Sequence, residues 1–450
     1  MARTKEMVLP LEEKLAQALV PVEEQPYEVP ENWCWCRMDR LYTINPKVSA
    51  PDEIEAAFVP MERIEAGLSS AFTFEIQSWS KARKGHTQFA DGDIAFAKIS
   101  PCFENRKSVI IDGLPNGIGG GTTELIVLRN RMVDRQYTYY QICADRFIQG
   151  GRQTYSGTVG QQRISMDYVR SYPIPLPPLY EQHRIVDRIE RLFAELDKAK
   201  ERAQAVINSY EDRKASILHR AFTGELTKEW RQNNNIPDSF WQTKPFDDVA
   251  EVKSNLVDPA GYMDYPHIAP DNIEKKTGIL LDYHTVAEDG IKSEKHLFFA
   301  GQILYSKIRP YLSKVVIVDF DGLCSADMYP VQPKEGIDTR FLWYYMLSDE
   351  FLEQASTAGS RSVLPKINQK ELGRIQVCVT DMTEQTEIVR ILDSLLMKET
   401  AAKAAAEQAI DQIDTMKKSI LARAFRGELG TNDPNDEPAI ELLKRTLNAQ

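Results

Sequence analysis

The sequence predicts an α+β fold in which two mixed α/β units are joined by two long antiparallel coiled-coil helices, an internal duplication with pseudo-two-fold symmetry. Three observations support this prediction. Segments 181–226 and 384–429 align without a gap at a shift of 203 residues, and about 19 of their 46 positions are identical. Both segments have a helical spacing of apolar residues. Each follows a globular stretch of roughly 150 residues with short β-type runs such as ELIVL (124–128) and VVIVDF (315–320).

The globular stretches are also copies of each other. GDIAFAKISPC (92–102) matches GQILYSKIRPY (301–311), and FVPMERIE (58–65) matches HIAPDNIE (267–274), both at a shift of 209 residues. The shift falls to 203 near NGIGGG (116–121), which suggests a glycine-rich insertion in the first copy. The chain is therefore predicted to contain two copies of one unit, each a globular part followed by a helix.

The repeated helical segments carry apolar residues at alternating intervals of four and three, a spacing typical of a coiled-coil seam. Gly224 and Gly427 follow the last apolar turns, where a left-handed helix cap favours glycine. The predicted seams are Ile185, Ile189, Leu192, Leu196, Ala199, Ala203, Val206 and Tyr210 in the first helix, and Ile388, Leu392, Leu395, Ala402, Ala406, Ala409 and Ile413 in the second.

These patterns divide the chain into six predicted segments. They are an N-terminal helical extension (1–29), a first globular domain (30–179), a central long helix (180–229), a second globular domain (230–382), a distal long helix (383–430) and a C-terminal tail (431–450).

Composition indicates a soluble globular protein, with 42% hydrophobic and 27% charged residues. No apolar run is long enough to cross a membrane, and the first residues do not look like a secretory signal. The six cysteines form no CxxC pair, which favours a reduced, cytoplasmic protein without structural zinc. The net charge of −11 counts against DNA binding, although local basic clusters occur.

Sequence patterns for catalysis are weak. The chain has neither a glycine-rich S-adenosylmethionine loop nor a phosphate loop of the GxxxxGK type, and LPPLY (176–180) lacks the polar residue of a methyltransferase motif. The histidines form no metal-binding motif. Pro237-Asp238 with Glu251 and Lys253 fits the loose PD…ExK pattern of metal-dependent nucleases. An entry turn followed by an edge strand explains the same residues.

The basic clusters and two polar loops are the candidate DNA contacts, because lysine and arginine bind phosphate and amides reach base edges. Plain surface roles explain the same residues. The loops are SGTVGQQRI (156–164) and TAGSRSVLPKIN (357–368). The predicted DNA-binding residues are Lys81, Arg83, Lys84, Lys98, Arg106, Lys107, Gln161, Gln162, Arg163, Lys307, Arg309, Lys314, Arg361 and Lys366.

The whole pattern resembles the specificity subunit of type I restriction-modification systems. Two variable α/β units alternate with two similar heptad helices, and each helix ends in an AFxGEL block (221–226 and 424–429). The opening LEEKLAQALVPVEEQPYEVPENW (11–33) resembles the starts of many such subunits. The resemblance covers essentially the whole chain.

The resemblance implies that the globular units are target recognition domains, each reading one half of a bipartite, asymmetric DNA target. The helices would set the spacing and dock two modification (methyltransferase) subunits. S-adenosylmethionine, ATP and Mg would bind to the partner subunits, including restriction (translocase and endonuclease) subunits, and this chain would hold no cofactor, metal or catalytic residue. A non-nucleic-acid adaptor and a single-chain nuclease are the alternatives.

The terminal segments carry narrow apolar stripes, with Leu11 and Leu15 near the start and Leu443 and Leu447 near the end. Such stripes either pack within the chain or dock a partner. On the second interpretation, deletion of 432–450 is expected to weaken assembly with a modification subunit and to leave the melting temperature nearly unchanged.

Overall fold

The computed structural model describes residues 10–130, 132–358 and 365–449. Contacts divide the chain into two compact units. Unit 1 comprises 1–202 with 409–450, and unit 2 comprises 203–408. Both long helices therefore contribute to both units.

Unit 1 contains three β-sheets within its described residues. One has the strand order β2-β9-β6-β7, the second β4-β3-β8-β5, and the third is the pair β1-β10. The strands are β1 (Cys34–Arg37), β2 (Thr43–Ile44), β3 (Glu55–Val59), β4 (Glu75–Ser78), β5 (Thr87–Ala90), β6 (Ile94–Ala97), β7 (Ser108–Ile110), β8 (Ile118–Gly121), β9 (Leu125–Arg129) and β10 (Pro173–Leu176).

Short helices pack around these sheets. They are α1 (Leu11–Ala18), α2 (Met38–Leu41), α3 (Trp79–Ala82), α4 (Arg135–Cys143), α5 (Asp145–Arg152) and α6 (Met166–Ser171), followed by the long α7 (Leu179–Asn208). The Asp134 side chain caps α4 by accepting a hydrogen bond from the backbone of Tyr137.

Unit 2 repeats this arrangement. Its helices are α8 (Tyr210–Phe222), α9 (Lys228–Asn233), α10 (Phe246–Val249), α11 (Thr339–Leu347), α12 (Asp349–Ala358), α13 (Gln369–Leu372) and the long α14 (Met382–Ala424); α15 (Ala439–Ala449) belongs to unit 1. Its strands are β11 (Gln242–Pro245), β12 (Ala250–Val252), β13 (Leu256–Val257), β14 (Pro266–Ile268), β15 (His284–Thr285), β16 (Lys295–Phe298), β17 (Ile303–Ser306), β18 (Val315–Ile317), β19 (Gly322–Cys324), β20 (Met328–Pro333) and β21 (Gln376–Val379).

The sheets of unit 2 have the orders β12-β20-β17-β18, β13-β16-β19-β14-β15 and β11-β21. Strand by strand they match unit 1, with β13 added at one edge. In both units one strand pair of the second sheet, β3-β8 or β14-β19, is parallel. The predicted mixed α/β fold and its internal duplication are confirmed.

The first copy does contain extra residues here, but they lie in the connection before the strand, where seven residues (111–117) correspond to four in unit 2 (318–321). The glycine-rich strand itself (118–121) is not the insertion, so that part of the sequence prediction is wrong. It forms β8, which occupies the position of β19. A Cβ atom on Gly120 would lie 2.0 Å from the Ala82 carbonyl oxygen, and one on Gly119 would lie 2.4 Å from the Phe89 ring. The glycines are explained by close packing between the strand and its neighbours.

The long helices run antiparallel inside each unit. In unit 1, Asp197 pairs with Lys417 and Lys200 pairs with Asp414, so the numbering rises along one helix as it falls along the other. In unit 2, Arg213 Nε lies 2.7 Å from the Glu399 carboxylate.

The AFxGEL block of each helix lies in the core of one unit. Leu218, Ala221 and Phe222 of α8 are buried in unit 2, where the Phe222 ring contacts Phe341 and Tyr345 edge-on. The equivalent residues of α14 are buried in unit 1. They are Leu421, Ala424 and Phe425. The two blocks are nearly identical because they fill equivalent positions in two cores.

Each long helix begins with a buried Glu-Gln pair. The carboxylate of Glu181 accepts hydrogen bonds from the Trp33 indole (2.7 Å) and the Asn432 amide (2.8 Å). In unit 2, the Glu384 carboxylate accepts them from the Trp241 indole (3.1 Å) and Arg231 (2.6 Å). A carboxylate is favourable at a helix N-terminus, where backbone N–H groups are unpaired. We call these two clusters the tryptophan–glutamate joints.

The central helix departs from its predicted regularity. It is interrupted at Ser209, whose hydroxyl donates to the Ala205 carbonyl at 2.6 Å, a bond that bends helices. Ala199, predicted in the seam, is exposed, whereas Phe193 is buried. The first turns of α7 pack on the unit 1 core, so Ile185, Ile189 and Phe193 follow the broader spacing of a core-facing helix.

The terminal apolar stripes pack against each other within unit 1. Helix α1 contacts α15, and the Lys14 ammonium donates to the Leu447 carbonyl at 3.0 Å. Leu442, Leu443 and Leu447 are buried in the main core of that unit. Of the two interpretations of these stripes, the structure supports packing within the chain.

Candidate nucleic-acid interface

The end of strand β6 and the loop that closes unit 1 are joined by backbone hydrogen bonds. The Lys98 backbone N–H donates to the Glu124 carbonyl at 2.8 Å, and the Ile164 N–H donates to the Lys98 carbonyl at 3.0 Å. These bonds bring Lys98, Glu124 and Arg163 together, and we call them the strand-end cluster of unit 1. The Arg163 guanidinium donates hydrogen bonds to both carboxylate oxygens of Glu124, from Nη2 to Oε1 at 2.7 Å and from Nε to Oε2 at 2.9 Å.

Unit 2 forms the same cluster from different residue types. The Lys307 N–H donates to the Asp327 carbonyl at 3.0 Å, and the Ile367 N–H donates to the Lys307 carbonyl at 2.9 Å. The Lys366 ammonium lies 3.0 Å from the Asp327 carboxylate. Lys307, Asp327 and Lys366 are the strand-end cluster of unit 2.

The electrostatics of both clusters follow from this geometry. Hydrogen bonds from Arg163, with help from the Lys98 charge, lower the pKa of Glu124 below its usual value. Burial and the nearby Lys366 charge lower the pKa of Lys307, whose ammonium also lies 5.0 Å from the Tyr329 ring centroid. The four cations are among the residues predicted from sequence and the two acids are not, since only the strand order brings the acids to this position.

The closing loop of unit 1 is a short hairpin. Ser156 and Arg163 exchange two backbone hydrogen bonds at 3.1 and 2.9 Å, and Gly157 and Gly160 have φ values of 110° and 83°. Val159 at the tip is 96% exposed. Gln161 is exposed as well, and the Gln162 carbonyl accepts from the Ser100 N–H. The loop therefore projects polar and apolar groups from a fixed base.

A second basic group lies at helix α3. Lys81, Arg83 and Lys84 are exposed, and Arg83 pairs with Asp52 at 2.6 Å. Their side chains are accessible to an anionic partner.

Three other predicted cations hold the fold together. Arg106 donates to the Cys143 carbonyl at 2.8 Å and pairs with Asp145, and Lys107 donates to the Met61 carbonyl at 2.9 Å. Lys314 donates to the Pro270 carbonyl at 2.7 Å and has a largely buried side chain. Their polar groups are occupied, so we leave them out of the interface proposed below.

Arg309 and Arg361 complete the predicted set. Arg309 is exposed in a left-handed conformation, φ 48°, and its N–H donates to the Pro365 carbonyl at 2.7 Å. Arg361 lies outside the described residues.

The residues of the nuclease-like pattern are engaged in separate ion pairs. Asp238 pairs with Arg231 at 3.0 Å, whereas Glu251 pairs with Lys253. Within 10–130, 132–358 and 365–449, no group of three histidine, cysteine or acidic side chains is placed to hold a metal ion. No helix in the same ranges is long and apolar enough to span a membrane.

Two α/β units with one topology, each with an antiparallel helix pair and a strand-end cluster, define a duplicated, two-headed protein. A family model described as "Type I restriction modification DNA specificity domain" matches residues 56–207 and 239–412. The chain belongs to this family of type I restriction-modification DNA specificity proteins.

Curated relatives agree with this assignment. The EcoDI specificity subunit of Escherichia coli is 42% identical over 277 residues, which are 57% of this chain and 62% of the relative. The EcoAI specificity subunit of E. coli is 37% identical over 214 residues, 47% of this chain and 36% of the relative. The matches span less than two thirds of either relative's length.

A solved structure has the same fold. The HsdS subunit from Thermoanaerobacter tengcongensis superposes with a TM-score of 0.65 over 91% of this chain and 100% of that chain, at 16% identity. At this identity the likeness concerns the fold alone.

Proposed function

We propose that this chain is the sequence-specific DNA-binding subunit of a type I restriction-modification complex, in which each unit reads one half of a bipartite, asymmetric target. The strand-end clusters carry the proposal. Two units with different sequences place two cations at the same strand end, beside the loop that closes the unit. Cations fixed in register are suited to the DNA backbone, and adjacent loops are suited to base edges.

The proposed interface uses the exposed and half-buried members of the predicted set. Backbone contacts come from the strand-end clusters and from the group at α3, and loop amides come from Gln161 and Gln162. Arg309 belongs to the same face of unit 2 through its bond to Pro365, beside Lys366.

The proposed partners are the other subunits of a type I restriction-modification complex. The chain would scaffold two modification subunits, which bind S-adenosylmethionine, and restriction subunits, which use ATP and Mg²⁺. It would itself be non-catalytic, bind no cofactor and work in the cytoplasm. The ion pairs of Asp238 with Arg231 and of Glu251 with Lys253 support a structural role for the nuclease-like pattern.

Methylome sequencing tests this function. The gene, expressed with its modification subunits in a host without methylation, should produce adenine methylation at one split, non-palindromic sequence. The assembled complex should bind a duplex carrying that sequence with an affinity that falls steeply with salt.

The two alternatives give different results. An adaptor without a nucleic-acid role would produce no new methylation and no salt-sensitive retention on duplex DNA. A nuclease would cut DNA as the isolated chain with Mg²⁺ and lose this activity in Asp238→Asn.

A further inference from the structure

Both strand-end clusters contain an acid in addition to their two cations. Binding of phosphate would require only the cations. Each cluster has a lysine at a strand end, an acid just before the adjacent strand of the sheet, and a second cation near the end of the closing loop. The acid and the loop cation keep one spacing in both units, since 327 − 124 and 366 − 163 are both 203. The residue types differ, lysine–glutamate–arginine against lysine–aspartate–lysine, yet the order of charges is the same.

Backbone hydrogen bonds alone would place these three residues together. They do not fix where the long cationic side chains point, since lysine and arginine have many rotamers and like charges repel. The carboxylate between the two cations offsets that repulsion. In unit 1 it also orients the guanidinium, through Nε and Nη2, while Nη1 donates to the Gln161 carbonyl at 3.0 Å.

In unit 1, the exposed fractions of the side chains indicate which side of the cluster faces a ligand. The Arg163 side chain is 42% exposed, whereas that of Glu124 is 22% exposed. The acid therefore lies beneath the cation. In unit 2 the two side chains are exposed to similar extents, 48% for Lys366 and 45% for Asp327, so there the acid lies beside the cation and Lys366 remains accessible to a ligand.

We propose that Glu124 and Asp327 are positioning residues for DNA binding. Each carboxylate holds the loop cation beside the strand-end lysine, so that the two cations of a unit bind the DNA backbone as an ordered pair. This inference rests on the proposed function and adds to it two acids that themselves repel phosphate.

The direction in which one substitution changes DNA affinity distinguishes a positioning role from a simple charge effect. Glu124→Gln removes a negative charge, so electrostatics alone predicts tighter DNA binding with a steeper salt dependence. If Glu124 positions Arg163, the same change frees the guanidinium, and target affinity falls by about tenfold, the size of one charge-assisted hydrogen bond.

The measurement is a fluorescence titration of the complex with its modification subunits. The probes are a duplex of about 40 base pairs that carries the site found by methylome sequencing and a scrambled duplex of equal length. Glu62→Gln makes the same charge change at an exposed glutamate of the same unit that is not a member of the cluster. We expect weaker target binding for Glu124→Gln and no weakening for Glu62→Gln. Affinity equal to or above that of the wild type in Glu124→Gln would overturn the proposal.

A double-mutant cycle tests the mechanism. In an Arg163→Gln background, Glu124→Gln should no longer weaken target binding, because no guanidinium remains to be positioned and only the removal of a negative charge is left. An undiminished loss in that background would show that Glu124 acts through another route. Asp327→Asn with Lys366→Gln provides the same cycle for unit 2.

Unit 2 itself supplies a variant that keeps the charges. The double substitution Glu124→Asp with Arg163→Lys gives unit 1 the residue types of unit 2, and it should bind the target within about threefold of the wild type. This variant also decides the matter if Glu124→Gln misfolds, since loss of binding with an unchanged melting temperature would then contradict the proposal. Absence of salt-sensitive DNA binding in the wild type would reject the proposed function, whereas wild-type binding with an indifferent Glu124→Gln rejects only the positioning role.

Discussion

The two tryptophan–glutamate joints differ by one ion pair. Glu384 is buried with Arg231, which is only 7% exposed, whereas Glu181 is buried among neutral donors from Trp33 and Asn432. Removing one partner of a buried ion pair leaves the other charge without compensation. Replacing a carboxylate by an amide among neutral donors leaves no such charge.

Glu384→Gln should therefore destabilise the protein by about 3–5 kcal/mol. Glu181→Gln, the matched change in unit 1, should cost about 1 kcal/mol. Unfolding in urea, followed by circular dichroism, measures both. Equal losses would mean that Arg231 finds adequate compensation from Asp238, with which it also pairs.

Burial raises the pKa of Glu181 above its usual value, against the lowering effect of its hydrogen bonds. A carboxyl group whose pKa is raised by folding binds its proton more tightly in the folded state. Its contribution to stability is thus largest below the unfolded pKa and is lost as pH rises through the folded pKa. As the pH rises from about 4 to about 7, the stability of Glu181→Gln should therefore fall less than that of the wild type. Melting temperatures across this range test the difference; parallel curves would contradict it.

The cations of the strand-end clusters could be predicted from the sequence, whereas the acids that pair with them could not. Lys98 and Lys307 follow recognisable strand runs before a proline turn. Glu124 and Asp327 meet them only because β9 lies beside β6, and β20 beside β17. Because the sequence does not reveal such partners, Arg106 was predicted as a DNA contact, whereas in the structure it bonds to Cys143 and Asp145.

At the level of elements, the ends of α8 and α14 each fill a core. Truncating a buried phenylalanine to alanine leaves a cavity and costs about 3–5 kcal/mol. Phe222→Ala should destabilise unit 2 and Phe425→Ala unit 1 by such amounts. Met416→Ala is a control on α14, since that side chain is 50% exposed. Hydrogen exchange can assign each loss to its unit, and protection lost equally in both units would be the contrary result.

Helix α15 changes the expectation for the C-terminal segment. Deletion of 432–450 would remove Leu442, Leu443 and Leu447 from the core and Asn432 from its joint. The melting temperature should therefore fall by several degrees or more, where the sequence suggested almost no change. Differential scanning calorimetry of the purified chain is sufficient. An unchanged unfolding transition would contradict packing of this segment in the core and would support a role in partner binding alone.

Helix spacing was predictable where a helix contacts its partner helix and less so where it contacts a core. A strict seam placed Leu192 and Ala199 inward, and the structure buries Phe193 and exposes Ala199. Apolar spacing in a sequence does not say which neighbour a helix will have. The break at Ser209 has the same origin, because a serine looks unremarkable in a heptad until its hydroxyl bonds the preceding turn.

The whole molecule combines a net charge of −11 with a proposed anionic ligand. The two facts are compatible because cations act locally at the strand-end clusters, at short range compared with the dimensions of the chain. The duplication, the mixed fold and the family were all accessible from sequence, since they depend on patterns repeated over hundreds of residues.

Replacement of residues 31–178, the first globular domain, by the corresponding domain of another family member should change one half of the methylated sequence and leave the other intact. The reason is that each strand-end cluster is built from residues of a single unit. Methylome sequencing of the chimaera measures the outcome. A simultaneous change in both halves would contradict independent reading.

The near-identity of the helix ends has a consequence for inheritance. Segments 214–226 and 417–429 share 10 of their 13 residues, so the gene for this chain encodes two similar stretches on either side of the second globular domain. A crossover in each stretch between two such genes delivers a new head whose core already accepts the resident phenylalanine and leucine. If each unit reads one half of the DNA target, as proposed, such an exchange would give a new target specificity in one step, without a series of intermediates that fold poorly.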